Sequence, residues 1–158
     1  MTKWTNGKTG ITVVKGIEAH ADIISTGMLL AIDPASKSMG WALYAQGNFI
    51  EKGTIVSKKK NVNDRLQDIG AQLHAQLKKF KFIDILAIEK IRGSRAHDYL
   101  KWAIGMSIVT VHAPRFVEVP VQFWKQIIPE DYVKNDENDA EMIGKVVTMI
   151  AEEYHGKK

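Results

Sequence analysis

Short apolar runs alternate with longer periodic segments along most of the chain. Five runs have the length and composition of buried or half-buried strands, at 29–32, 40–45, 49–56, 84–88 and 115–119. Helices are predicted at 62–80, 95–112, 121–128 and 136–154. This order predicts an α/β fold with a mixed five-stranded sheet flanked by helices.

Three local patterns accompany these elements. The helix over 62–80 has one apolar stripe, formed by Val62, Leu66, Ile69, Leu73, Leu77 and Phe80. The second predicted strand places Trp41 and Leu43 on one face, because strand side chains alternate. Gly47 and Asn48 supply the predicted hairpin turn into the third strand.

The first 28 residues form a predicted N-terminal extension ahead of a domain over 29–158. Short apolar stretches at 11–14 and 23–24 are separated by glycines. Such punctuation indicates an additional hairpin, an arm or a partly ordered segment. The extension is assigned no chemistry.

Composition narrows the function classes only modestly. The 158 residues suffice for one domain with a substantial core, and the net charge of +4 permits a polyanionic partner without requiring one. The absence of cysteine excludes disulfides, thiolate catalysis and cysteine-based zinc sites. No apolar run approaches the ~20 residues of a membrane-spanning helix, so we expect a cytoplasmic protein without a membrane partner.

Two predicted buried strands end in a carboxylate, Asp33 after LLAI and Glu89 after DILAI. Each residue alone is equally compatible with a turn or capping role. The last helix adds Asp136 and Asp139, which project onto its apolar face. Compensation of the helix dipole accounts for acids in a first turn, but it does not account for two aspartates on the buried face.

If the two strands are neighbours and the last helix crosses them, four carboxylates meet at one edge of the sheet. Their mutual repulsion calls for cations. Oxygen ligands favour Mg²⁺ or Mn²⁺. Two such ions can activate a water and stabilise the leaving oxygen in phosphodiester cleavage. The acids therefore predict a metal-dependent nuclease site.

Four segments in order resemble the motifs of RuvC-type Holliday junction resolvases: AIDPASKSMGWAL, ILAIEK, HDYLKWAIGMSI and DENDAEMIG. The resemblance covers about residues 29–154 and implies an RNase H-like fold. It implies that Asp33, Glu89, Asp136 and Asp139 are catalytic residues that hold two Mg²⁺ or Mn²⁺ ions per active site. It further implies a homodimer that resolves four-way and other branched DNA, leaving 5′-phosphate and 3′-hydroxyl ends.

The chain departs from this family between Lys125 and Asp136. Family members usually carry a basic glycine-containing loop and a further helix there, whereas only residues 126–135 are present here. The compactness is similar to that of phage-encoded relatives, for which the location would be the host cytoplasm. Lys125 itself falls where the family carries a lysine near the scissile phosphate.

Several basic residues are candidate phosphate contacts, which would position DNA without reading its sequence. A solvated basic face is the equally simple alternative. These candidates are Lys58, Lys59, Lys60, Lys90, Arg92, Arg95 and Lys101.

The helix predicted over 95–112 carries apolar and aromatic residues that suit a dimer interface. The candidates are Trp102 and Ile104. A symmetric dimer would cut two opposed strands of a junction together. Tyr99 is a candidate for base stacking. Core packing is the competing role for both aromatics.

Three other functions remain open at this point. An RNase H-type or flap nuclease would need the same acids. A nucleotide-binding module of the actin-like superfamily would share the turn after Asp33, but it needs a second domain that 158 residues do not provide. A DNA-binding scaffold without catalysis would not need the intact set of four acids.

Overall fold

The computed structural model describes residues 7–34, 38–79, 83–89 and 115–155. The helices in these ranges are α1 (Gly7–Ala19), α2 (Ala21–Thr26), α3 (Val62–Leu77), α4 (Val121–Lys125) and α5 (Asp136–His155). The strands are β1 (Met28–Asp33), β2 (Ser38–Ala45), β3 (Asn48–Val56), β4 (Ile85–Glu89) and β5 (Phe116–Val119). The helix predicted over 95–112 lies outside the described residues.

The five strands form one mixed sheet in the order β3-β2-β1-β4-β5. β3, β2 and β1 are antiparallel neighbours, whereas β1, β4 and β5 run parallel. Parallel neighbours need a crossover connection, and this is why helices follow the first three strands. The predicted mixed five-stranded sheet flanked by helices is therefore confirmed.

The hydrophobic core has two layers, one on each face of the sheet. α1, α2 and α5 cover one face, and α3 covers the other. β1 supplies both layers, because Leu29 and Ala31 point to the first while Leu30 and Ile32 point to the second. A strand buried on both faces reads as a continuous apolar run, which explains the LLAI pattern.

The expectation of a hairpin or arm near the N-terminus is wrong. Residues 7–26 form the helices α1 and α2, and their buried side chains belong to the same core layer as α5. Val14, Ile17, Ala21 and Ile24 follow helical spacing, which the intervening glycines obscured. Tertiary packing against the sheet outweighs the low helix propensity of glycine.

Three smaller predictions need correction. Val62 is 40% exposed, because it occupies the first turn of α3 before the helix reaches the sheet. The hairpin turn is formed by Gln46 and Gly47, both with positive φ, and Asn48 already begins β3. The helix after Pro120 ends at Lys125 instead of residue 128. Phe80 lies outside the described residues, while Trp41 and Leu43 share one core layer as predicted.

Gly40 allows the start of α5 to lie directly on β2. A Cβ atom at this position would overlap the main-chain carbonyl of Asp136 and come within 2.7 Å of the Glu137 nitrogen. Gly40 also pairs with Asp33 across β1 and β2. The absent side chain thus sets how closely the last helix approaches the end of β1.

We predict that Gly40→Ala lowers the free energy of unfolding by about 2 kcal/mol or more, because backbone atoms cannot move aside as a flexible side chain can. Chemical denaturation measures this change. Gly16→Ala is the matched control, since a Cβ there has nothing within 4 Å and lies inside α1. The control should gain up to about 1 kcal/mol. Equal stability of both variants would contradict the close approach.

Candidate active site

Asp33 and Glu89 stand next to each other because their strands are parallel neighbours. β1 and β4 pair in register up to Ile32 and Ile88, and each strand then ends in its carboxylate. The carboxyl ends of parallel strands meet at the same edge of a sheet, which is a common position for active sites in α/β proteins. The two acids therefore owe their proximity to strand pairing.

α5 brings Asp136 and Asp139 to the same edge. Its first turn contains both residues, and its contact with Gly40 places that turn beside the end of β1. The side chain of Asn135 accepts a hydrogen bond from the Asn138 amide at 2.8 Å, which caps the start of the helix. Asp139 is buried, as its position on the apolar face of the helix predicted.

The four carboxylates line one cavity of about 480 Å³. Its walls consist of Asp33, Glu89, Val121, Trp124, Lys125, Lys134, Asn135, Asp136 and Asp139. The structure thus brings the four acids together, and Lys125 lies beside them. Among the described residues, no group of three acidic or histidine side chains is arranged to hold a metal ion as it stands.

Burial raises the pKa of Asp33 to about 8, and the Glu89 carboxyl adds to the rise through a hydrogen bond and its negative charge. Asp139 and Asp136 contribute further repulsion. Burial and the nearby carboxylates therefore favour the protonated form of the Asp33 carboxyl at neutral pH.

Hydrogen-bond donors orient the other three acids. The Ser38 hydroxyl donates to Asp136, and the Trp124 indole nitrogen donates to Glu89 at 3.2 Å. Donors of this kind fix the side chains that bind a metal or a substrate. Neither residue is recognisable as a partner of the acids from the sequence, although Ser38 lies inside the segment AIDPASKSMGWAL and Trp124 immediately precedes Lys125.

Asp139 has two donors from the short segment before α5. The Tyr132 hydroxyl donates to Oδ1, and the Lys134 ammonium lies 3.1 Å from Oδ2. The contact with Asp139 raises the pKa of Lys134, and burial together with the same carboxylate raises that of Tyr132. Both residues were missed, because only the fold shows that the segment turns back over the acids.

The predicted phosphate contacts fall in two groups. Lys58, Lys59 and Lys60 are exposed and follow β3. Val56 at the end of β3 pairs with Ser38, so this loop leaves the sheet at the edge that carries the acids. The other four candidates, Lys90, Arg92, Arg95 and Lys101, lie outside the described residues. The same is true of Tyr99, Trp102 and Ile104.

None of the helices in the described ranges combines the length and the apolar character that crossing a membrane requires.

The sequence matches no protein-family model and no curated protein. Several solved structures are similar in fold, among them two of RuvC and one of Ydc2. Thermus thermophilus RuvC matches in complex with a Holliday junction substrate (TM-score 0.61) and also in a second structure (0.59), each at 13% identity over 82% of this chain and 96% of RuvC. The yeast mitochondrial Holliday junction resolvase Ydc2 matches with a TM-score of 0.58 at 13% identity, over 88% of this chain and 87% of Ydc2.

These similarities extend over most of each chain, at an identity too low to carry residue roles across. The sheet order and the flanking helices described above account for them. The protein therefore has the RNase H-like fold shared by these Holliday junction resolvases.

Proposed function

We propose that this protein is a structure-selective endonuclease that resolves four-way and other branched DNA junctions by two-metal phosphodiester hydrolysis. One observation carries the proposal. Asp33, Glu89, Asp136 and Asp139 line a single cavity at the carboxyl ends of two parallel strands. The fold that holds them is the fold of junction resolvases, one of which was solved with its junction substrate.

The residues of the cavity fit hard divalent cations. All four acids offer carboxylate oxygens, the ligands that Mg²⁺ and Mn²⁺ prefer. Burial and the neighbouring carboxylates raise the pKa of Asp33, so a bound cation would favour its ionised form. Bound ions would lower the pKa of a water and stabilise charge on the phosphate. The number of two ions rests on the family resemblance.

The chain itself would supply rigidity and positive charge. Asp33 and Glu89 are fixed on paired strands, and Ser38 and Trp124 restrain two of the acids. Lys125, which lines the cavity wall, would hold the scissile phosphate against the acids. Attack in line with the leaving oxygen would give 5′-phosphate and 3′-hydroxyl ends, as the family resemblance implies.

The junction itself would be gripped outside the cavity. Lys58, Lys59 and Lys60 leave the sheet at the catalytic edge and would contact phosphates of the arms. We propose phosphate contacts for Lys90, Arg92, Arg95 and Lys101 as well. A homodimer in the cytoplasm would present two cavities to the two opposed strands of a four-way junction.

An RNase H-type or flap nuclease is the second candidate, because the same acids in the same fold suit cleavage of an RNA–DNA hybrid. The two functions would use the same cavity but different nucleic-acid-binding surfaces around it. A direct comparison of substrates separates them.

We predict that the protein introduces paired, symmetric nicks near the crossover of a labelled synthetic four-way junction in Mg²⁺ or Mn²⁺. Linear duplex and an RNA–DNA hybrid are cleaved poorly in the same assay. Asp33→Asn lowers the rate by roughly 100-fold or more, because it removes a charged ligand. Direct ligation of the nicks by a DNA ligase would verify the 5′-phosphate and 3′-hydroxyl ends.

Glu137→Gln is the matched control for this assay. Glu137 neighbours Asp136 on α5 but does not line the cavity, so its loss should leave the rate unchanged. Preferential cleavage of the hybrid would move the function to RNase H-type activity. A folded wild-type protein that cuts none of the three substrates would overturn the nuclease proposal.

We predict that, in EDTA, Asp33→Asn is more thermostable than wild type, and that its advantage grows between pH 5 and pH 8. The pKa of Asp33 rises on folding from 3.8 to about 8, so between these pH values the unfolded chain has released a proton that the folded state retains, and the free energy of unfolding falls as the pH rises. Asparagine removes the charge and still donates to Glu89. Thermal denaturation should show a difference of ~2 °C or more at pH 8.

Saturating Mg²⁺ should reverse this order at pH 8, since bound cations favour the ionised wild-type site. If the difference in melting temperature between the two proteins stayed constant across the pH range, ionisation of Asp33 would not be its cause.

A further inference from the structure

The segment before α5 engages both carboxylate oxygens of Asp139. Tyr132 donates its hydroxyl to Oδ1, and the Lys134 ammonium lies 3.1 Å from Oδ2. The Asp139 side chain is only 8% exposed, whereas that of Lys134 is 76% exposed. Lys134 therefore reaches into the cavity from solvent to meet a buried carboxylate.

The two partners differ in what they permit Asp139 to do next. A carboxylate oxygen has two lone pairs, so a neutral hydroxyl can stay on Oδ1 while the carboxylate binds a cation. An ammonium on Oδ2 would lie within a few ångströms of a divalent ion, where like charges repel strongly in a partly buried site. Tyr132 can remain when the site is loaded, and Lys134 cannot.

We infer that Lys134 is a built-in counter-ion for the metal-free site, which occupies Asp139 until a divalent cation replaces it. This inference rests on the proposed metal site.

Lys134 has a second position available close to Asp139. Its ammonium already lies 5.9 Å from the centre of the Trp124 ring, and both residues line the cavity. Cation–π attraction would hold the displaced ammonium at the cavity wall. Cation binding would thus release the Lys134 ammonium from the Asp139 carboxylate. The ammonium would then face the phosphate of the substrate.

Lys125 provides a matched comparison, because it lines the same cavity. No ion pair among the described residues links it to the four acids. Replacing either lysine by methionine removes one positive charge from the cavity. Only Lys134→Met removes a direct competitor from a carboxylate oxygen.

Titration with Mn²⁺, monitored through the electron paramagnetic resonance signal of the free ion, gives metal affinity without any turnover. We expect Lys134→Met to bind Mn²⁺ about three- to tenfold more tightly than wild type, because the cation no longer displaces an ammonium. Lys125→Met should change the affinity by less than twofold at 0.15 M salt, where charges without direct contact are screened. Tyr132→Phe should not tighten binding.

Circular dichroism on the same samples establishes that each variant is folded. Tighter binding cannot come from damage to the fold, since a disordered Asp139 would bind Mn²⁺ more weakly. Unchanged or weaker binding by folded Lys134→Met, or equal tightening by Lys125→Met, would overturn the counter-ion role and leave the metal site intact. Absence of Mn²⁺ binding by wild type would overturn the proposed metal site together with the inference.

Discussion

The parallel pairing of β1 with β4 is the constraint on which the site depends. Both strands are buried, and their register ends at Ile32 and Ile88, so the next residue of each is a carboxylate at the same edge. A slip of either strand by one residue would exchange its two core faces and move its carboxylate out of line with that of its neighbour. The distance between Asp33 and Glu89 is therefore fixed by the hydrophobic core, and the site inherits its rigidity from it.

Concentrating four acids at one edge has an electrostatic cost, which the structure offsets in the absence of a cation. Asp33 keeps a proton because burial and its neighbours raise its pKa to about 8. The other three acids each accept a hydrogen bond from a side chain that lies outside the set. A cluster held in this way is ready for positive charge, and this makes metal-dependent phosphodiester chemistry the function that fits it best.

The segment between α4 and α5 shows how a compact chain can combine structural and functional roles. It caps α5 through Asn135 and places Tyr132 and Lys134 on Asp139. Where the resembled family has a longer basic loop and a further helix, this chain uses fewer than a dozen residues. This segment places the Lys134 ammonium directly on Asp139, a proposed metal ligand.

The five strands, the helices α3 and α5 and the places of the four acids in the chain could be predicted from the sequence, because alternation, helical periodicity and a carboxylate after an apolar run are local signals. The sequence did not determine the N-terminal helices, where glycines masked a helical spacing that only packing against the sheet stabilises. It also did not reveal Ser38, Trp124, Tyr132 or Lys134 as partners of the acids. Those contacts join residues that strand pairing and the close approach of α5 at Gly40 bring together, and no local pattern records such proximity.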